Sequence, residues 1–241
     1  RFEGRTAKKF RRNEETSMKA FVFAMEKEAK LIFEETTLLE RERHGVALFE
    51  KRRFQDKIFV LCVSGIGKSL SAASLSALPL LYPEVDAVFN LGVSGSLNDL
   101  LLPPFTYFAP SSFVNYDIDT TAFGDERGLF FNPNRVYFDS DIALHNLLVL
   151  KLRGENIVSE GVEVSGDSFI ADEAKKDFLR KEWKALACDM ESASLASVAF
   201  GLNLPFCALR LVSDSSNSAE EYEKNLDQCA RMLRDSVLKL I

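Results

Sequence analysis

From Met18 onward, short apolar runs alternate with longer amphipathic stretches. Runs rich in Val, Ile and Phe predict strands at KAFVFA (19–24), KIFVLCVS (57–64), AVFNLG (87–92), TYFAPSSFV (106–114), VEVSGDSFI (162–170), ALACDM (185–190) and FCALRLVSD (206–214). Between them, apolar residues recur at helical spacing over 27–41, 69–82, 142–153, 172–182, 190–203 and 219–241, which predicts helices. Apolar strands flanked by such helices predict an α/β fold: one domain of three layers, α/β/α, around a mixed, mostly parallel sheet. Residues 115–138 form the longest irregular stretch, suited to a lid or an interface element.

The first seventeen residues, RFEGRTAKKFRRNEETS, lack this pattern. They are polar and basic, and read as a non-native remnant or a disordered arm, which leaves 18–241 as the folded domain. A basic arm raises the question of nucleic acid. The 36 acidic residues against 30 Lys and Arg give a net charge of −6, which opposes attraction to phosphate backbones. No apolar run is long enough to span a bilayer and no signal-peptide pattern is present, so a cytoplasmic location without membrane contact is expected. Cys62, Cys188, Cys207 and Cys229 are widely spaced, with no C-x-x-C pair and only His44 and His145 to accompany them. Buried free thiols are therefore expected, with neither a metal nor a cofactor.

The stretch VLCVSGIGKSLSAAS (60–74) resembles a phosphate-binding loop, with Gly67-Lys68-Ser69 in place. Such a loop needs a second glycine five positions before Gly67, and that position is Cys62. Lys68 is then a helix-start or surface residue. In an α/β sheet, ligands bind beyond the carboxyl ends of the strands. The residues there are Met25 to Glu28, Gly65 to Gly67, Gly92 to Gly95, Phe169-Ile170, Met190-Glu191 and Ser213-Asp214, with Arg210 close behind. Glu28, Glu191 and Asp214 suit glycosidic cleavage, where one carboxyl protonates the leaving group and another activates water. Each could equally be a helix-start carboxylate complementing the helix dipole, so position alone leaves the reaction open.

Seven segments in order carry a family resemblance: AMEKEA (24–29), SGIGKS (64–69), NLGVSGSL (90–97), YDIDTTAFGDERG (116–128), GDSFI (166–170), CDMESASLA (188–196) and NLPFCALRLVSDSS (203–216). Together they resemble the 5′-methylthioadenosine/S-adenosylhomocysteine nucleosidases of the purine nucleoside phosphorylase superfamily, which also holds futalosine hydrolases and aminodeoxyfutalosine nucleosidases. The resemblance implies a homodimeric hydrolase that releases adenine from a 5′-modified nucleoside and uses no cofactor. Glu28 would hold and deprotonate the attacking water, Arg210 would help to place it, and Asp214, oriented by Ser213, would protonate purine N7. Glu191 would grip the ribose 2′- and 3′-hydroxyls. Phe169 would stack on the base, Ile170 would read its edge through the backbone, and Met190 would lie under the sugar. Gly95 and Val93 would border the ribose and nucleophile, and Ile66, with Phe123, would wall the 5′ substituent.

Three positions depart from the family pattern. Val93 stands where a serine is usual, Asp125 replaces a tyrosine after AFG, and Asp189-Met190-Glu191 replaces Glu-Met-Glu. Asp125 is a poor wall for a methylthio tail but admits a larger 5′ extension, for which Arg127 or Arg135 could supply charge. Futalosine-type substrates of menaquinone synthesis therefore stand beside those of methionine salvage. A non-catalytic nucleoside-binding protein of the same fold is the remaining alternative.

Overall fold

The computed structural model describes residues 18–214 and 219–241; the basic arm, 1–17, and Ser215-Ser216 of the last motif lie outside them. β1 (Met18–Phe23) lies between β4 (Lys57–Val63) and β5 (Val85–Ser96) and runs parallel to both. β12 (Phe206–Asp214) is parallel to β5 along its length. β5 is long enough to make a further, antiparallel contact with β11 (Ala185–Asp189) at Gly95 and Ser96. From there β10 (Val162–Ser165) and β7 (Ser112–Asn115) continue in parallel, and β8 (Phe138–Asp139) closes the edge antiparallel. β6 (Tyr107–Phe108) and β9 (Ile157–Val158) branch from β12.

Period-two alternation along β5 assigns its side chains to two cores. Ala87, Phe89, Leu91 and Val93 face α1 (Glu26–Glu35), α3 (Ile142–Lys151) and α6 (Ala219–Leu240). Val88 faces α2 (Lys68–Leu81) and α5 (Ser192–Leu202). α4 (Glu173–Trp183) covers β10 and β11 through Leu179 and Trp183. The sheet thus has helices on both faces, as the alternation of apolar runs implies, and it is mixed.

The helix expected over 27–41 stops at Glu35. Residues Thr37–His44 form β2, which turns at Gly45 into β3 (Ala47–Phe54) and adds an antiparallel hairpin beyond β4. Every residue of β2 is exposed, so its TLLERERH sequence has no apolar alternation to announce a strand. The run 106–114 is two strands separated at Pro110, whose missing N–H cannot serve a ladder. The run 162–170 pairs only as far as Ser165. All four cysteines are buried and free. Among the described residues, no helix is long and apolar enough to cross a membrane.

Candidate active site

The carboxyl ends of β1, β4, β5, β11 and β12 open on one pocket of about 330 Å³. Its walls include Glu28, Ile66, Val93, Gly95, Phe169, Ile170, Met190, Glu191, Arg210, Ser213 and Asp214. Phe123 is the one expected site residue that lies elsewhere. It sits in a 3₁₀ turn, Thr121–Phe123, with 87% of its surface exposed.

Glu28 stands on the first turn of α1 and is almost completely buried. Its Oε2 accepts from the Met25 N–H at 3.0 Å, reaching back over the helix start, and its Oε1 accepts from the Val93 N–H at 3.1 Å. Burial raises its pKa above the usual carboxylate range, although Arg210 and these backbone donors oppose the rise. The capping position and the pocket position are one and the same.

The turn after β4 holds carboxylates where a phosphate loop would hold phosphate. Gly67 has φ +95° and precedes α2, and its N–H donates to Glu191 Oε1 at 2.8 Å. The next N–H, of Lys68, donates to Asp167 Oδ1 at 2.7 Å. The dihedral favours glycine, and a Cβ on Gly67 would lie 3.0 Å from that same oxygen and press the Asp167 side chain aside. The Lys68 ammonium pairs with Asp117. Glu191 precedes α5 but does not cap it, because Asp189 accepts from the Ser192 N–H at 3.0 Å. The Glu191 side chain is thereby left to face the pocket. Burial, with Asp189 nearby, pushes its pKa up to about 8.

Arg210 on β12 supplies the buried positive charge. Its Nε donates to Ser94 Oγ at 3.0 Å, one terminal nitrogen to Asn90 Oδ1 at 3.1 Å and the other to the Val93 carbonyl at 2.5 Å; that last nitrogen also forms an ion pair with Asp189 Oδ2 at 3.1 Å. Burial alone would lower its pKa, but Asp189, Glu163, Glu191 and Glu28 outweigh burial and raise it. Gly92 explains how close these groups come. A Cβ there would lie 2.8 Å from both an Arg210 terminal nitrogen and Glu28 Oε1.

At the far end, Ser213 Oγ donates to Asp214 Oδ1 at 2.7 Å, and Asn225 of α6 fixes the Ser213 carbonyl at 2.7 Å. Asp214 is 2% exposed. Phe169 meets Tyr222 edge-on at 6.2 Å between ring centroids, and the Tyr222 hydroxyl reaches the Met25 sulfur at 3.7 Å.

Tyr222, Glu223 and Cys188 also line the pocket and were not singled out in the sequence. The two pocket residues of α6 look, in sequence, like any other part of an amphipathic helix. Arg127 pairs with Asp119 and lies over Phe178, and Arg135 lies over Phe200; neither they nor Asp125 line the pocket of their own chain. Among the described residues, no group of three or more His, Cys, Asp or Glu side chains could hold a metal ion.

Residues 19–241 match the family model described as the phosphorylase superfamily. An aminodeoxyfutalosine nucleosidase of Campylobacter jejuni is 32% identical over 85% of this chain and 88% of its own length. A 5′-methylthioadenosine/S-adenosylhomocysteine nucleosidase of Geobacillus is 32% identical over 92% of this chain and 97% of its own. The solved structure of a Helicobacter pylori futalosine hydrolase superposes with a TM-score of 0.87 at 26% identity, covering 95% of this chain and 98% of that one. With the fold, the strand-end pocket and these relatives in agreement, this chain belongs to the phosphorylase superfamily, on its nucleosidase branch.

Proposed function

We propose that this protein hydrolyses the N-glycosidic bond of a 5′-modified adenine nucleoside, with water as the nucleophile and no cofactor. The carrying observation is the state of Arg210. Three of its five N–H groups donate to Ser94, Asn90 and the Val93 carbonyl, one terminal nitrogen also pairs with Asp189, and Glu163, Glu191 and Glu28 share the same single positive charge. A phosphate dianion would meet carboxylates and one occupied guanidinium, whereas a neutral water suits Glu28 well. Hydrolysis is therefore favoured over phosphorolysis.

In this reading Glu28 takes a proton from water as the water captures C1′ of the ribosyl cation. Its raised pKa brings it closer to the working pH of a general base. Glu191 matches the vicinal diol of ribose with its two carboxyl oxygens, which in the protonated form offer one donor and one acceptor. Asp214, in its protonated form, delivers a proton to N7 so that adenine departs neutral, and its acceptor oxygen takes a hydrogen bond from the exocyclic amine. A 6-oxo purine would set acceptor against acceptor there, which favours adenine. Phe169 and Met190 supply apolar faces to the base and sugar.

The C. jejuni relative is named for aminodeoxyfutalosine and the Geobacillus relative for methylthioadenosine and adenosylhomocysteine. Ile66 and Phe169 are about half exposed at the pocket mouth, so the 5′ side is open to a group larger than methylthio. Side-by-side turnover of methylthioadenosine, adenosylhomocysteine, aminodeoxyfutalosine and futalosine tests the substrate. Glu28→Gln and Asp214→Asn are each expected to lower kcat about a thousandfold while binding persists. Binding without release of adenine or, from futalosine, hypoxanthine would instead favour a non-catalytic nucleoside-binding protein.

Phe123 and Phe131, 87% and 65% exposed on the 115–138 segment, support a homodimer in which this loop meets a second copy. Sedimentation as a monomer at micromolar concentration would contradict it. A cytoplasmic location fits the four free thiols.

A further inference from the structure

Glu163 is a buried acid that the mechanism above leaves unused. It sits on β10 between β7 and β11, opposite Phe113 and Ala187, and is fully buried. Its Oε1 accepts from Ser94 Oγ at 2.7 Å, and its Oε2 has no hydrogen-bond partner among the described residues. Leaving a buried carboxyl oxygen unpaired carries an uncompensated desolvation penalty, larger if the group is charged. An apolar side chain would fill this strand position without that penalty, so packing does not account for an acid here.

The geometry around Ser94 does account for it. A serine hydroxyl has one proton and rotates freely, so its lone pairs point nowhere in particular until the proton is claimed. Glu163 claims it, and a lone pair then faces Arg210 Nε at 3.0 Å. The far end of the guanidinium is held by Asn90, the Val93 carbonyl and Asp189. We propose that Glu163 is a positioning residue for the cleavage: through the Ser94 hydroxyl it fixes the plane of Arg210, so that the terminal nitrogen beside Gly92 faces Glu28 and the attacking water.

The charged and titratable groups around Glu163 are Asp189, Glu191 and Cys188 on and after β11, and Arg210 on β12. Burial, and then Asp189, hold Glu163 well above the ordinary carboxylate range, which suits a neutral carboxyl that accepts from Ser94 without adding a further negative charge. A glutamine can accept the same proton through its carbonyl. This distinguishes a positioning role from a need for charge.

The proposal rests on the nucleosidase reading, and its test has one arm that does not. Glu163→Leu and Ser94→Ala are each expected to lower kcat about tenfold with KM changed by less than about twofold. Glu163→Gln should recover most of the loss, and the Ser94→Ala/Glu163→Leu double variant should be no worse than either single one. Independently of turnover, the Arg210 Nε–H resonance, slowly exchanging in the ¹⁵N spectrum of the wild type, should exchange faster in both single variants. Unchanged kcat and unchanged Nε–H exchange in Glu163→Leu would overturn the proposal, as would additive losses or a loss that glutamine does not recover. If Glu163→Leu does not fold, Ser94→Ala carries the same comparison, and an unchanged Nε–H signal there overturns it. A wild type that frees no base, but whose Nε–H still depends on Ser94, would remove the nucleosidase reading and leave the positioning contact standing.

Discussion

Among the described residues the chain buries two arginines, and their surroundings differ in kind. Arg52 on β3 donates to the Thr36 hydroxyl, to the Phe33 and Thr36 carbonyls and to Glu50. Glu50 in turn accepts from Arg41 at 2.6 Å, so one acid is shared by two cations in a closed set. Arg210 inverts the ratio, with Glu28, Glu163, Asp189 and Glu191 sharing one guanidinium. The first arrangement clamps the end of α1 to the hairpin. The second leaves acids short of countercharge, and so keeps protons within the reach of chemistry.

The sharpest test of the difference is to remove Arg52. Arg52→Leu strands Glu50 in the interior beside a single exposed partner and should cost about 3 kcal/mol in urea unfolding. The kcat of the folded fraction should not change. A loss of turnover per folded molecule would show that the two clusters are not separate.

Gly92→Ala attacks the other cluster without touching a charge. The added methyl would need the space of both Arg210 and Glu28, and displacing either by about 1 Å should lower kcat on the order of a hundredfold. The alanine variant should still bind nucleoside, as read by calorimetry. Activity equal to wild type would mean that the close approach of these two groups is not used.

The acid excess also sets a pH dependence. Glu28, Glu163 and Glu191 hold their protons in the native pocket at pH values where the unfolded chain has lost them. The native state then binds more protons than the unfolded one, and stability falls as pH rises. The thermal midpoint should drop from about pH 5 to about pH 9, through the Glu191 value of about 8, and Glu191→Gln should flatten the slope. A midpoint that rises across this window would contradict the assignment. The smallest effect is expected at the rim. Lys68→Ala removes a partly exposed pair with Asp117 and should cost less than about 1 kcal/mol, with turnover within about twofold. A large loss of kcat/KM would restore to Lys68 a part in catalysis that its side chain does not have here.

Legibility in the sequence differs between these regions for the same physical reason. Strand ends with a glycine or a carboxylate after a Val- and Phe-rich run are visible because burial demands the run and the ligand site demands the break. Glu28, Glu191 and Asp214 fall at or just after such breaks, Arg210 lies farther back within β12, and all four reach one pocket. β2 was hidden because neither of its faces is buried, and LLERER also fits helical spacing. Glu163 was hidden by the opposite circumstance, as one acid inside an otherwise apolar strand. Its contact with Ser94 joins residues 69 positions apart, which local patterning does not reveal.

One consequence of the turn after β4 reaches beyond the reaction. The amide groups at the start of α2 already hold Glu191 and Asp167, so the positive end of that helix is spent on the protein's own acids. A 5′-phosphoryl group brought here would meet Glu191 and Asp167 at the Gly67 and Lys68 amides rather than two free donors. AMP is therefore expected to bind more weakly than the corresponding nucleoside without phosphate, a difference that a calorimetric comparison of the two would read.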